Sequence, residues 1–218
     1  MRLLIHTCCA NCSIYPVQRL RSRGIDLTGL WFNPNIHPFE EYNLRLASLK
    51  RLSEQWRFPV MYNDTYDMEL FLRGFLESSE VFLAQELSSR EDFYTFENPD
   101  LHSILDKASL GKRCQHCYRL RLEETARAAK DNGFDAFSTT LLVSPYQNFE
   151  LIVNTGNELA QKYNIEFFPE DFRPGYREAL NVSREMGLYR QKYCGCIFSK
   201  VERGKAAKQQ NNRRLRNE

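Results

Sequence analysis

Short apolar runs alternate with helical patterns along most of this chain, and that alternation constrains the fold more than any other feature. Arg2–Thr7 and Leu27–Phe32 read as buried strands, and Val60–Tyr62, Ala136–Thr140 and Ile165–Phe168 follow. Between them, Ser13–Arg23 carries Pro16 in its first turn and Gly24 at its end, a start and a stop for a helix. Tyr118–Lys130 repeats apolar residues at helical spacing and ends at Asn132-Gly133. From Phe149, the residues Ile152, Val153, Gly156, Ala160 and Tyr163 mark one face of another helix. Strands alternating with helices predict an α/β fold built on a doubly wound, mostly parallel sheet, Rossmann-like or HUP-like.

A length of 218 residues with 42% apolar content suits one domain, expected over residues 1–199. Residues 69–106 interrupt the pattern with nine acids against two basic residues, and a mainly helical acidic insertion is expected over 69–111. Residues 200–218 form a basic tail with seven Lys or Arg against two acids, so a net charge of +2 leaves residues 1–199 at −3. Such a tail either neutralises phosphates of a nucleic acid or is a solvated terminus. No apolar stretch approaches the roughly 18 residues of a membrane span, and the opening MRLLIHTCCANC is too short and cysteine-rich for a secretory leader. A cytoplasmic protein with no membrane partner is expected.

In a reducing compartment, seven cysteines point to metal binding or redox chemistry, since an odd number cannot close entirely into disulfides. They fall into three tight groups: Cys8, Cys9 and Cys12; Cys114 and Cys117; Cys194 and Cys196. Scattered cysteines acting as small hydrophobes would not cluster in this way. Cys8 and Cys9 follow the first strand, at the sheet edge where open α/β folds bind ligands, and Cys12 and Ser13 are expected to open the next helix. Cys114-Gln-His-Cys117 is likewise expected at a helix start, able to present two sulfurs to an iron-sulfur cluster or a zinc ion. The glycine between Cys194 and Cys196 permits a tight turn, which suits either a dithiol that cycles with a disulfide or two metal ligands. A structural zinc site needs only four ligands, fewer than the chain offers. Of the four histidines only His116 lies inside a cysteine group, where it is at best a supporting residue.

With HTCCANCS at 6–13, NPNIHPFEEYNLR at 33–45, RCQHCYRLRLEETA at 113–126 and YRQKYCGCIFS at 189–199, the chain resembles the QueH family of epoxyqueuosine reductases over nearly its whole length. The resemblance implies removal of the epoxide oxygen from epoxyqueuosine at the wobble position of tRNA, and so a tRNA substrate and an unidentified electron donor. It implies a [4Fe-4S] cluster held by Cys8, Cys9, Cys114 and Cys117, with Cys194 and Cys196 as a redox pair or as ligands of an additional mononuclear iron. Cys12 belongs to the same pattern without an assigned centre. The stretch 69–111 is longer than its family counterpart, and SPYQNF at 144–149 lies where members vary; neither touches a cysteine.

Expelling an epoxide oxygen as water takes two electrons, two protons and an acid. Asp64 and Asp67, after the third strand, are candidates for that acid, with helix capping by Asp64 and first-turn charge from Asp67 as the structural alternative. Tyr118 and Tyr193 adjoin cysteines and are alternative donors or stacking partners. Asn33, Asn35, Glu41, Tyr42 and Arg45 follow the second strand and are expected to shape a nucleoside pocket. Two other functions compete. An iron-sulfur tRNA thiolation enzyme would need a glycine-rich pyrophosphate loop where this chain has TCCANCS, and a non-catalytic RNA-binding module would hold zinc without iron.

Overall fold

The computed structural model describes residues 1–78 and 110–205. Five parallel strands form one sheet: β1 (Arg2–His6), β2 (Asp26–Trp31), β3 (Val60–Tyr62), β4 (Ala136–Thr139) and β5 (Glu166–Phe167), in the order β3-β2-β1-β4-β5. The α/β expectation holds, with strand ends within one or two residues of those read from the apolar runs. β1 reads as an unbroken apolar run because it is the central strand: Leu3, Leu4 and Ile5 are fully buried, covered on both faces.

Seven helices surround the sheet in the described residues: α1 (Ala10–Ser22), α2 (Phe39–Trp56), α3 (Met68–Ser78), α4 (Leu110–Asp131), α5 (Phe149–Tyr163), α6 (Tyr176–Glu185) and α7 (197–205). α4 packs along α5, and α1 lies against α6. Positive φ angles at Gly24 and Gly133 serve the chain reversals after α1 and α4, as the stop signals predict. The expected insertion over 69–111 lies largely outside the described residues, with α3 entering it and α4 leaving it. The basic stretch from 200 begins inside α7, whose residues 200–205 are helical and largely exposed, and Glu202 pairs there with the buried Arg113 at 2.8 Å.

Two helix starts differ from the sequence reading. α1 begins at Ala10 instead of Ser13, because Cys9 caps it: its Sγ accepts from the Cys12 backbone N at 3.4 Å, and Pro16 then falls inside the helix. α4 begins at Leu110, which places Cys114 and Cys117 one turn and more into the helix. The N-terminal dipole expected at this pair therefore acts less directly on it, because the effect fades within the first turn.

The chain runs from β1 outward to β3, then returns to place β4 on the other side of β1. The carboxyl ends of β1 and β4 therefore form the switch point where such sheets bind ligands. His6 spans it, with Nδ1 3.0 Å from Thr139 Oγ1 and Nε2 3.1 Å from Asn33 Oδ1. Burial, then the positive charge of Arg121, push His6 down to about 4, so it is a neutral strut.

Candidate metal and redox site

Cys8, Cys9 and Cys12 converge just beyond β1, their sulfurs all within 4.8 Å of one another and buried. Cys8 is tied to the switch point, its N–H donating to Thr140 Oγ1 at 3.2 Å. Hydrogen bonds from Cys12 and Cys9 hold the Cys8 thiol well below its ordinary value, whereas Cys9 is pushed up to about 12 by burial above all. Gln191, from the segment after α6, donates to Cys9 Sγ at 3.1 Å and reaches Cys12 Sγ at 3.7 Å. Gln191 lies within the YRQKYCGCIFS stretch, but its part at the triad emerges only when segments far apart in the chain meet.

The other four cysteines line one small cavity of about 30 Å3 together with Asn35, Arg113, Tyr118 and Arg121. Cys194 Sγ and Cys196 Sγ are 3.7 Å apart, and Cys194 is held down to about 5, chiefly by its hydrogen bond with Cys196 and then by Ser199. Burial pushes Cys117 up to about 11, against the pull of Arg121. The spacing-based reading set Cys194 and Cys196 apart from the CxxC pair; the fold brings both pairs to one wall.

Arg121 connects the two groups. The residue is 3% exposed, and its guanidinium donates from Nη2 to Cys117 Sγ at 3.1 Å and lies in the field of Cys8 and Cys194. Among the described residues it pairs with no carboxylate. A buried guanidinium is costly without a counter-charge, and beside the Tyr118 ring the groups placed to supply one are the sulfurs of Cys117, Cys8 and Cys194. Two further atoms on the cavity wall, Asn35 Oδ1 and Arg113 Nε, are buried without a hydrogen-bond partner among the described residues. An unpartnered Arg113 Nε–H beside four sulfurs and a buried cation fits a thiolate-bound metal centre, which is anionic and leaves sulfurs to accept hydrogen bonds; Asn35 Oδ1, an acceptor, contributes no such bond.

The turn at Cys194–Cys196 is held by residues expected instead at a nucleoside pocket. Arg45, 2% exposed and paired with Glu41 at 2.7 Å, donates to the carbonyls of Cys194 and Tyr193 at 3.0 and 2.9 Å. Gly195 has φ +127°, and a Cβ there would meet Ile36 at 3.1 Å and Arg45 at 3.2 Å, so glycine is required for both conformation and space. Asn33 accepts from His6 Nε2 through Oδ1 and donates to the Thr7 carbonyl through Nδ2, while Tyr42 accepts from Trp31 Nε1 at 2.8 Å. Asn35 alone of this set lines the cysteine cavity.

Neither carboxylate singled out in the sequence lies on a wall of this cavity. Asp67 caps α3, accepting from Leu70 N at 2.8 Å, and the exposed Asp64 faces Lys50 at 3.5 Å. Tyr118 does line it, with its hydroxyl donating to Gln147 at 2.9 Å, whereas Tyr193 donates to the His37 carbonyl. No helix among the described residues is long and apolar enough to cross a membrane.

The family model described as "Epoxyqueuosine reductase QueH" matches residues 3–90 and 77–202. A relative of that name from Thermotoga maritima is 34% identical over 206 residues, 92% of this chain and 91% of the relative. Others come from Dehalococcoides mccartyi, 29% identical over 93% of this chain and 94% of the relative, and Staphylococcus epidermidis, 30% identical over 96% and 81%.

Proposed function

The chain belongs to the QueH family of epoxyqueuosine reductases, and from that premise we propose that it reduces epoxyqueuosine in tRNA through an iron-sulfur centre bound to its own thiolates. The reduction is the oxidoreductase step of queuosine biosynthesis that the family's name carries. The observation that most supports a thiolate-held centre is Arg121, a buried cation that pairs with no carboxylate among the described residues and lies against Cys117 Sγ in the field of Cys8 and Cys194.

Cys8, Cys9, Cys114 and Cys117 would hold a [4Fe-4S] cluster, drawing two ligands from each side of Arg121. Such a cluster supplies electrons one at a time when bound. Removing an epoxide oxygen takes two, which favours a second donor nearby, and Cys194 and Cys196 line the same cavity as Cys114 and Cys117. This pair would act either as a dithiol, giving up two electrons and two protons as it closes to a disulfide, or as ligands of a further iron. Arg45 and Glu41 fix the backbone of this turn, and Arg121 steadies negative charge on the facing sulfurs. Tyr118, whose hydroxyl reaches the cavity wall, is the donor best placed to pass a proton to the departing oxygen. Asp64 and Asp67 are not given that role.

A second assignment is favoured by the shared cavity itself: Cys114, Cys117, Cys194 and Cys196 as one four-thiolate set, with the Cys8–Cys9–Cys12 group as a separate centre. Anaerobic iron and sulfide quantitation on single Cys→Ser variants separates the two. Loss of the main cluster in Cys8→Ser supports the first assignment; its loss in Cys194→Ser with retention in Cys8→Ser supports the second. Zinc without iron or sulfide would exclude both, and with them the redox role.

A further inference from the structure

A second, larger cavity of about 290 Å3 opens on the far side of the cysteine triad, lined by Cys12, Gln191, Tyr146, Tyr176, Arg190 and Arg203 among others. Its size lies near the roughly 300 Å3 lower end of small-molecule sites. Its floor is the redox site: Gln191 hydrogen-bonds Cys9 Sγ, and Tyr176 lies in the field of Cys12 and Cys9.

The rim is built from groups the fold does not need. Tyr146 is 81% exposed on the loop between β4 and α5 and meets Tyr176 edge-on at 6.0 Å, which leaves its ring face open. An exposed ring of this size contributes little to the core, and a free aromatic face is what unstacked bases bind. The loop is nevertheless anchored: the Tyr118 hydroxyl donates to Gln147 at 2.9 Å and accepts from Asn148 N at 3.3 Å. Tyr118 also lines the small cysteine cavity, so this loop borders both cavities, Gln147 at the small one and Tyr146 at the large one. Arg190 and Arg203 stand exposed around the opening, and neither pairs with a carboxylate among the described residues.

We infer that this cavity receives a single nucleoside splayed out of an RNA strand, its base stacked on Tyr146, with Arg190 and Arg203 on the flanking phosphates. The inference rests on the proposed reduction and adds where the nucleoside sits. A base on Tyr146 stands beside Gln147, which lines the four-cysteine cavity, in a cavity that Cys12 of the triad also lines.

The test is binding of an anticodon stem-loop RNA carrying epoxyqueuosine to the anaerobic, iron-loaded protein, read by fluorescence anisotropy across a salt series. Tyr146→Ala is expected to weaken binding on the order of 10-fold, and Tyr146→Phe to restore most of it, because stacking needs the ring and not the hydroxyl. Arg190→Ala and Arg203→Ala should each make the log–log salt slope shallower by about 0.7, the value for one phosphate contact on a single strand. Thermal melts and iron content of all four variants should match the parent. Wild-type affinity, salt slope and turnover in Tyr146→Ala and in the Arg190→Ala/Arg203→Ala pair would overturn the inference. If the parent protein binds the RNA in this way but forms no queuosine, the cavity stands and the proposed reduction falls.

Discussion

Arg121 places Nη2 3.1 Å from Cys117 Sγ while its Nε donates to the Cys117 carbonyl at 3.0 Å, so one buried cation fixes both the sulfur and the backbone of a proposed cluster ligand. Charged hydrogen bonds of this kind are worth about 1.5–3 kcal/mol. Arg121→Gln removes the charge and keeps a donor. The reduction potential of the bound centre should move in the negative direction, by on the order of 60 mV or more, since 59 mV corresponds to tenfold for one electron. Arg121→Lys should shift it less. Spectroelectrochemical titration of the iron-loaded variants checks this, and an unmoved potential in Arg121→Gln would separate the guanidinium from the centre.

Gly156 on α5 packs directly against β5: a Cβ there would lie 2.4 Å from the Phe167 ring. Alanine is the better helix former by roughly 1 kcal/mol, yet overpacking a core costs about 1–3 kcal/mol. With a ring rather than a flexible tip in the way, overpacking wins. Gly156→Ala should lower stability in urea unfolding, and a stabilised variant would show that α5 stands further from the sheet than described.

His37 is fully buried, with Nε2 donating to the Pro34 carbonyl at 2.9 Å, and burial depresses it from 6.5 to about 4. In the unfolded chain it takes up a proton near pH 6.5; in the fold it does so only near pH 4. Its contribution is therefore complete above pH 6.5 and is lost as pH falls toward 4, by up to about 3 kcal/mol at 1.36 kcal/mol per unit. His37→Gln should flatten the fall in apoprotein stability between pH 6.5 and 4 relative to the parent. An equally steep fall in the variant would place the dependence on other groups.

Local features of the fold were legible because local physics decides them. Leu3, Leu4 and Ile5 form an unbroken apolar run since the central strand is covered on both sides, and Gly24 and Gly133 stop helices since their φ angles are positive. Where a less usual group intervened, the reading slipped. Cys9 caps α1 with sulfur in place of the oxygen that cap signals look for, and α4 starts before Cys114 in a stretch, KASLGKR, whose glycine reads as a break. Spacing also could not tell which cysteine pairs share a wall. Cys114 and Cys194 are 80 positions apart, and their approach depends on Arg45 gripping the Cys194 carbonyl from α2. Position after the third strand does not tell a proton donor from a structural carboxylate: Asp67 caps α3 and Asp64 faces Lys50, and a capping aspartate and a catalytic one look the same in sequence.

The central claim is that thiolates on both sides of Arg121 hold an iron-sulfur centre and that Cys194 and Cys196 serve turnover. Its most direct test is parallel measurement of iron, sulfide and queuosine formation in anaerobically reconstituted Cys8→Ser, Cys117→Ser and Cys194→Ser proteins, with epoxyqueuosine-containing tRNA and a chemical reductant. Cys8→Ser and Cys117→Ser should lose most of the cluster and all turnover, whereas Cys194→Ser should keep most of the cluster and still form no queuosine. Full cluster and full turnover in Cys8→Ser, or an intact rate in Cys194→Ser, would contradict it.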